Sequence, residues 1–180
     1  MSNIFFTSDT HFFHNNLINY CPESRGHFSS VEEMNENLIN RWNSVVRERD
    51  SVYHLGDFSF ANNVKLTEIV FDRLNGIKHL IVGNHDHKIG NCQWASINPY
   101  KELRKMNIVL FHYPIEVWNG KHHGTFHFHG HSHHNPFDKP EKPIVRRFDV
   151  GADNNNLTPI SFEEIIDRLK NENRYEINRS

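Results

Sequence analysis

The sequence has few cysteines and no long apolar run, and both absences narrow the classes of protein that it can encode. Its two cysteines, Cys21 and Cys92, form no Cys-x-x-Cys pattern, so we expect neither a disulfide framework nor a thiolate zinc site. No stretch approaches the roughly 18 apolar residues of a membrane span. The N-terminal segment also lacks the basic and apolar regions of a signal peptide, and we therefore predict a cytoplasmic protein.

The charge balance is close to neutral, with a formal net charge of −2. No global basic field would draw such a chain to nucleic acid, although a local basic patch stays open. Hydrophobic residues make up 37% and charged residues 23% of the 180 positions, which is typical of a globular protein. We predict a single domain over residues 1–180, with a frayed tail over 171–180.

Histidine is the residue type in excess, with 15 copies. They are spread from His11 to His134 rather than gathered at one terminus, so a purification tag does not explain them. Histidine is the commonest metal ligand in proteins. The positions of these residues relative to the predicted strands therefore decide what they indicate.

Short apolar segments alternate with amphipathic ones along the chain. Strands are predicted over residues 3–7, 51–55, 78–82, 107–111, 125–129 and 144–150. Helices are predicted over 64–74 and after two capping boxes, Ser30 with Glu33 and Ser161 with Glu164. Residues 91–105 are ambiguous between a loop and a loop with a short helix, and three prolines in 136–143 predict a surface loop. Alternating strands and helices favour an α/β fold, with functional groups beyond the carboxyl ends of the strands.

Two short motifs follow the first and fifth predicted strands. Asp9 and His11 form a D-x-H pattern, and His131 and His133 repeat the spacing after Gly130. Residues two apart in an extended chain point the same way, so each pair could face one ion. Either motif alone is weak, because D-x-H occurs often by chance.

The other strand ends carry Asp57, the segment Asn84–His85–Asp86, and His112. The Asp57 carboxylate could bridge two cations, although a turn or helix cap is its ordinary role. The neutral amide oxygen of Asn84 would suit a site that is already rich in negative charge. His85 could face a substrate while Asp86 orients its imidazole. Taken alone, His112 is more typical of a structural residue.

In their order along the chain, these blocks resemble the calcineurin-like metallophosphoesterase family, in particular its small bacterial and phage members. The resemblance implies a four-layer αββα sandwich of two mixed sheets flanked by helices. It also implies two divalent metal ions, Mn or Fe with Zn, Ni or Co as alternatives. One ion would be held by Asp9, His11 and His133, the other by Asn84, His112 and His131, with Asp57 as the bridge.

The activity implied is hydrolysis of phosphomonoesters or phosphodiesters, in which a metal-bridging hydroxide attacks phosphorus and His85 assists the leaving group. The predicted substrate is a small phosphorylated compound, with nucleotides among the candidates. A nuclease of the same fold is one alternative, although no basic track stands out. A catalytically silent scaffold and a structural or storage metal protein are others.

Candidates for contacting the substrate are Asn84, Arg25 and His14. Arg25 could hold a phosphate bidentately, and surface solvation is an equally good interpretation of it. His14 could line the mouth of the site. His54 is predicted to lie in the core. His127 and His129 share one strand face, either as donors of hydrogen bonds to the metal ligands or simply as polar partners.

Overall fold

Nine short strands are present in the computed structural model of the chain, which describes residues 2–133 and 144–172. The strands are β1 (Ile4–Thr7), β2 (Ser51–His54), β3 (Ile77–Ile81), β4 (Ser96–Asn98), β5 (Tyr100–Leu103), β6 (Ile108–Phe111), β7 (Phe126–His129), β8 (Arg147–Asp149) and β9 (Ile160–Ser161). All six predicted strands are present. The predicted loop over 136–143 and the part of the predicted tail beyond residue 172 lie outside the described residues.

Five α-helices accompany the strands, namely α1 (Leu17–Tyr20), α2 (Pro22–Arg25), α3 (Val31–Val45), α4 (Val64–Arg73) and α5 (Phe162–Asn171). Both predicted helix caps form, because Ser30 Oγ accepts from Glu33 N and Ser161 Oγ accepts from Glu164 N. A cap of this kind stabilises a helix by about 1 kcal/mol. Among the described residues, no helix is both long and apolar enough to cross a membrane.

The strands assemble into two mixed sheets. The first has the order β4-β3-β2-β1-β9, in which β1 to β4 are parallel and β9 is antiparallel to β1. The second has the order β5-β6-β7-β8, in which β5 is antiparallel to β6 and the others are parallel. The chain is therefore an α/β protein with two mixed sheets flanked by helices. The ambiguous segment 91–105 forms β4 and β5, and only Arg104–Met106 is helical, as a 3-10 turn.

Alternation along the strands separates two hydrophobic cores. Phe5 points toward α3 and α4 and packs in one cluster with Trp42 and Phe71. Phe6 points the opposite way and meets Phe128 of the second sheet edge to face, with 5.0 Å between ring centroids. Burial of an aromatic side chain of this size contributes about 1.5–3 kcal/mol. Residues of α5 join this second cluster, so that helix closes the core between the sheets.

The two sheets meet at the carboxyl ends of their parallel strands. Ser8, directly after β1, forms a parallel bridge with Gly151, directly after Val150 beyond β8. The loop after β1 also pairs with the loop after β2, where Asp9 N donates to Gly56 O and His11 N donates to Asp57 O. The polar loops predicted from the sequence are consequently brought to one place.

Candidate metal centre

The backbone is left-handed at five of the predicted metal ligands. These residues have positive φ values, of 55° at Asp9, 47° at His11, 59° at Asp57, 72° at His131 and 42° at His133. A non-glycine residue in this region costs about 1–3 kcal/mol, and such residues persist where the surrounding structure holds them for a function. Their concentration at one edge of the fold marks that edge as the candidate site.

Three of these side chains form a first cluster, made of Asp9, His11 and His133. The two imidazole Nε2 atoms lie 3.0 Å apart. Asp9 Oδ1 is 3.7 Å from Nε2 of His11 and 3.6 Å from Nε2 of His133. One carboxylate oxygen and two ring nitrogens thus face a common point, although they come from loops after β1 and β7.

A second cluster is made of Asp57, His112 and His131. His112 is fully buried, and its Nδ1 donates to the carbonyl oxygen of Leu55 at 2.7 Å. This hydrogen bond leaves Nε2 free to act as a ligand, at 3.6 Å from Asp57 Oδ2. Nε2 also lies 3.0 Å from Oδ1 of Asn84, so the predicted amide ligand belongs to the same group.

Asp57 lies between the two clusters. Its Oδ2 is 3.7 Å from Nε2 of His11 in the first cluster and 3.6 Å from Nε2 of His112 in the second. Its Oδ1 accepts a hydrogen bond from the backbone N–H of His85 at 2.8 Å, which fixes the carboxylate plane. Asp57 therefore lies where one carboxylate could serve both clusters.

Two glycines allow the carboxylates to approach the backbone. A Cβ at Gly83 would lie against Asp57 Oδ1, and a Cβ at Gly130 would lie against Asp9 Oδ2 and Ser8 Oγ. Neither space could hold a methyl group without displacing a carboxylate. The glycines before the Asn84 and His131 blocks are therefore explained by close packing at the site.

The buried polar atoms fit metal binding. Asp9 Oδ1 is buried without a hydrogen-bond partner, which costs about 1–3 kcal/mol or more for a charged group. A divalent cation among Asp9, His11 and His133 would satisfy it. The donors of both clusters are nitrogen and oxygen atoms, a set that suits first-row divalent metals and does not select one of them.

The electrostatics agree with a charged centre. Burial alone would raise the pKa of Asp9, but the imidazoles that face it, first that of His11 and then that of His133, hold the pKa well below its usual range. Burial raises the pKa of Asp57, which disfavours its charged form, and a bound cation would offset that cost. Burial opposes protonation of His133, but hydrogen bonds, first of all with Asp153, raise its pKa to about 10. A metal ion that binds His133 would therefore displace a proton.

The structure contradicts the predicted role of Asp86 as the partner of the His85 ring. Asp86 Oδ2 accepts from the backbone N–H groups of Asp57 and Gly83, and Oδ1 accepts from that of Phe58, all at 2.8–2.9 Å. These three bonds tie the β2 and β3 loops together. Asp86 is a positioning residue, and among the described contacts no hydrogen bond joins it to the imidazole of His85.

The predicted contact of Arg25 with substrate is also wrong. Its side chain has no exposed surface, and its guanidinium donates to Asp153 and to the backbone carbonyls of Asp9 and Thr10. No donor of Arg25 is directed into the cavity beside the clusters. The sequence could not reveal this, because Asp153 lies 128 residues further along the chain.

A cavity of about 660 Å³ opens beside the two clusters. His85 is exposed in its wall, and its ring lies 5.9 Å from that of His11 and 4.6 Å from that of Phe60, centroid to centroid. His14 stacks on Phe60 with ring centroids 4.1 Å apart and also lines the cavity. The structure thus places His85 and His14 where the sequence predicted them, outside the two ligand clusters and next to them.

Two acidic residues near the site were not predicted as functional. Asp149, at the end of β8, lies close enough to Asp9 that burial first, and then repulsion from Asp9, raise its pKa to about 6. Asp153 accepts from Arg25 and contacts Nδ1 of His133 at 2.8 Å. Their positions in the sequence could have indicated a role. Each lies two residues from Gly151 at the end of a predicted strand, and the candidate metal ligands also lie at strand ends.

The histidines assigned to the strands lie in the interior. His54 is buried, as predicted, with Nε2 2.9 Å from Thr10 Oγ1. His127 and His129 are both buried on the face of β7 opposite Phe126 and Phe128. His127 packs on Trp118 with ring centroids 5.2 Å apart, so it is a polar partner within the fold.

Comparison with known proteins finds relatives along nearly the whole chain. No protein-family model matches it. It is 36% identical over 172 residues to the uncharacterized protein MJ1445 of Methanocaldococcus jannaschii, an alignment covering 92% of this chain and 90% of that protein. It is 29% identical over 187 residues to the Gene 66 protein of Mycobacterium phage L5, covering 85% and 87%.

A solved structure shares the fold. The crystal structure of AQ665, a protein of unknown function from Aquifex aeolicus, matches with a TM-score of 0.72 and 29% identity. The match covers 94% of this chain and 100% of that chain. None of these names states an activity.

Proposed function

This chain belongs to the family of the uncharacterized protein MJ1445, and we propose that it is a dinuclear-metal-dependent phosphoesterase with a calcineurin-like fold. The observation that carries the proposal is the position of Asp57, whose Oδ2 lies within 3.7 Å of a ligand nitrogen in each cluster. A carboxylate shared by two His-rich clusters is the ligand pattern of a two-metal hydrolytic site. Two mixed sheets that meet at their carboxyl ends support the finer fold assignment.

Asp9, His11 and His133 would hold one ion, while Asn84, His112 and His131 would hold the other, with Asp57 shared. Mn or Fe are the first candidates, and Zn, Ni or Co are compatible with the same nitrogen and oxygen donors. When bound, a pair of divalent cations supplies Lewis acidity toward a phosphoryl group and lowers the pKa of water. Everything else in the reaction falls to the side chains around the cavity.

His85 is the residue placed to move a proton. Its backbone N–H is fixed on Asp57 Oδ1 at 2.8 Å, and its ring is exposed in the cavity beside His11. From there it can contact a phosphoryl oxygen and donate a proton to the departing alkoxide. A positioned general acid of this kind contributes about 100- to 10,000-fold in rate.

The cavity favours a small phosphoester over nucleic acid. Its described lining includes histidines, Phe60, Leu17 and Tyr20 but neither lysine nor arginine. A nuclease would need basic side chains along the path of the phosphate backbone. A lining that combines polar side chains with apolar ones suits a phosphate group attached to a less polar leaving group.

The test is turnover by purified protein loaded with Mn²⁺. Para-nitrophenyl phosphate probes monoesterase activity, and bis-para-nitrophenyl phosphate with a phenylphosphonate ester probes diesterase activity. We expect turnover of at least one ester and none of it after chelation with EDTA. Protein that binds two ions yet turns over no ester with Mn, Fe, Zn, Ni or Co would refute the enzymatic proposal and favour a silent scaffold.

A further inference from the structure

Arg25 is a buried cation beside the first cluster. Its Nε donates to Asp153 Oδ1 at 2.7 Å, and its Nη2 donates to Asp153 Oδ2 at 3.1 Å. Burying an unpaired charge would cost several kcal/mol, and this two-point pairing with a carboxylate offsets that cost. The planar fork of arginine makes the geometry specific, since lysine could not bond to both oxygens in this way.

The same guanidinium holds the backbone at the first ligand. Nη2 donates to the carbonyl oxygen of Asp9 at 2.8 Å, and Nη1 donates to that of Thr10 at 3.0 Å. Asp9 and His11 both have positive φ, so this segment is held in a strained conformation. Arg25 supplies hydrogen bonds that oppose relaxation of that strain.

Asp153, which accepts from Arg25, also contacts His133 on the other side of the first cluster. Its Oδ2 lies 2.8 Å from Nδ1 of His133, while its Oδ1 also accepts from Ser24 Oγ at 2.6 Å. With the proton of His133 on Nδ1, the lone pair of Nε2 faces Asp9 Oδ1 at 3.6 Å. A carboxylate behind a ligand histidine orients the ring and selects this tautomer.

The second cluster is held in another way. There, Nδ1 of His112 donates to the backbone carbonyl of Leu55, a group that belongs to β2 and its loop. None of the hydrogen bonds of Arg25 reaches Asp57, His112 or His131. Arg25 therefore contacts only the first cluster directly, although the clusters share Asp57 and are joined by the hydrogen bond from His131 N to Asp9 Oδ2 at 2.8 Å.

We propose that Arg25 and Asp153 are positioning residues that set the metal affinity of the first cluster and leave that of the second largely unchanged. The guanidinium of Arg25 contacts the Asp9 backbone directly. It also holds Asp153, which in turn contacts the ring of His133. The proposal rests on the metal centre of the proposed function, and it does not depend on which ester is hydrolysed.

The deciding variant is Asp153→Asn, which keeps the size of the side chain. The amide can keep its oxygen toward Arg25 Nε and Ser24, but it then presents an N–H to Nδ1 of His133. That contact favours the tautomer with the proton on Nε2, which leaves no lone pair on Nε2 for a metal ion in the first cluster. We expect calorimetric titration with Mn²⁺ to give two ions on the wild type. On Asp153→Asn we expect one ion at wild-type affinity and the other weakened about 10- to 100-fold.

The matched control is Glu36→Gln, which also replaces an arginine-paired carboxylate by its amide. Glu36 pairs with Arg73 at 2.6 Å on the surface, with side chains 54% and 44% exposed, and the change should leave both Mn²⁺ affinities as they are. The Mn²⁺ electron paramagnetic resonance spectrum gives a second signature. It should change from a coupled pair in the wild type to an isolated ion in Asp153→Asn at the same loading.

Two results separate this proposal from the one on which it rests. Wild-type protein that binds no Mn²⁺ would overturn the metal centre itself. Asp153→Asn that binds two ions at wild-type affinity would overturn the positioning role alone.

A measurement on the wild type covers the case in which the variant does not fold. In the Zn²⁺-loaded protein, long-range nitrogen–proton NMR spectra should place the proton of His133 on Nδ1, with its resonances assigned by their loss in His133→Gln. A proton on Nε2 would overturn the proposal.

Discussion

Nε2 of His11 and Nε2 of His133 lie 3.0 Å apart, although 122 residues separate them in the sequence. Both nitrogens also face Asp9 Oδ1, a buried oxygen without a hydrogen-bond partner. Two imidazole nitrogens that converge on a carboxylate oxygen are donors that could hold a transition-metal ion.

Replacing Asp57 by asparagine should weaken both metal sites, in contrast to Asp153→Asn. Asp57 Oδ2 is the oxygen that faces a ligand of each cluster, and its neutral counterpart loses the charge that both cations need. We expect about 10-fold or greater loss of Mn²⁺ affinity at each site, measured as ions retained after gel filtration. Asp167→Asn, on the exposed side of α5, is the control and should retain both ions. Full retention by Asp57→Asn would show that this carboxylate is not shared.

Replacing His85 by alanine should slow turnover without loss of metal. The ring of His85 is exposed in the cavity and belongs to neither cluster. We expect kcat to fall about 100- to 10,000-fold on an ester with a poor leaving group, while Mn²⁺ content stays at two ions. The control variant His87→Ala, at an exposed position two residues away, should keep the wild-type kcat. An unchanged kcat in His85→Ala would remove this residue from the reaction.

Asp86→Ala should act on stability rather than on the protonation of His85. The carboxylate accepts three backbone N–H groups, from Asp57, Phe58 and Gly83. Removing it leaves buried donors without partners, at about 1–3 kcal/mol each. Urea unfolding should therefore show a loss of at least about 3 kcal/mol, against almost none for the exposed Asp72→Ala. A stable Asp86→Ala variant with a displaced pH profile of kcat would instead restore the pairing with His85.

His127 should make the protein less stable in mild acid. Burial, followed by the neighbouring His129, lowers the pKa of His127 to about 3, whereas the unfolded chain has a histidine pKa of about 6.5. Between about pH 6.5 and about pH 3, His127 of the unfolded chain binds a proton, whereas His127 of the folded protein stays neutral. The free energy of unfolding then falls by about 1.4 kcal/mol per pH unit, and above that pH this contribution is constant.

Urea unfolding at about pH 7 and about pH 5 measures this effect. His127→Gln should reduce the difference in unfolding free energy between the two conditions by about 1–2 kcal/mol. His87→Gln, at an exposed position, should leave it unchanged. An equal pH dependence in wild type and His127→Gln would mean that the folded protein accepts the proton.

The places of the candidate ligands in the fold could be predicted from the sequence because they depend on local features. Asp9, Asp57, Asn84, His112 and His131 each follow a short apolar strand, and the carboxyl ends of parallel strands meet at one edge. The helix caps at Ser30 and Ser161 were equally local and formed as predicted.

What the sequence could not provide are relationships across the chain and the directions of adjacent side chains. A buried arginine and a solvated one look alike until Asp153 is seen against Arg25. Asp86 follows His85 directly, but its carboxylate turns to the backbone of the β2 loop. Residues 96–103 gave no strand signal because their side chains are only partly buried, and they pair as the edge strands β4 and β5.

The most direct test of a two-metal phosphoesterase follows Mn²⁺ binding and ester turnover together in one titration of metal-free protein. We predict that hydrolysis of para-nitrophenyl phosphate, or of its bis ester, rises with the second equivalent of Mn²⁺ bound. In Asp57→Asn, turnover should be absent at the same concentrations. Two ions bound without turnover of either ester, or turnover that is the same in Asp57→Asn, would contradict the function proposed for this protein.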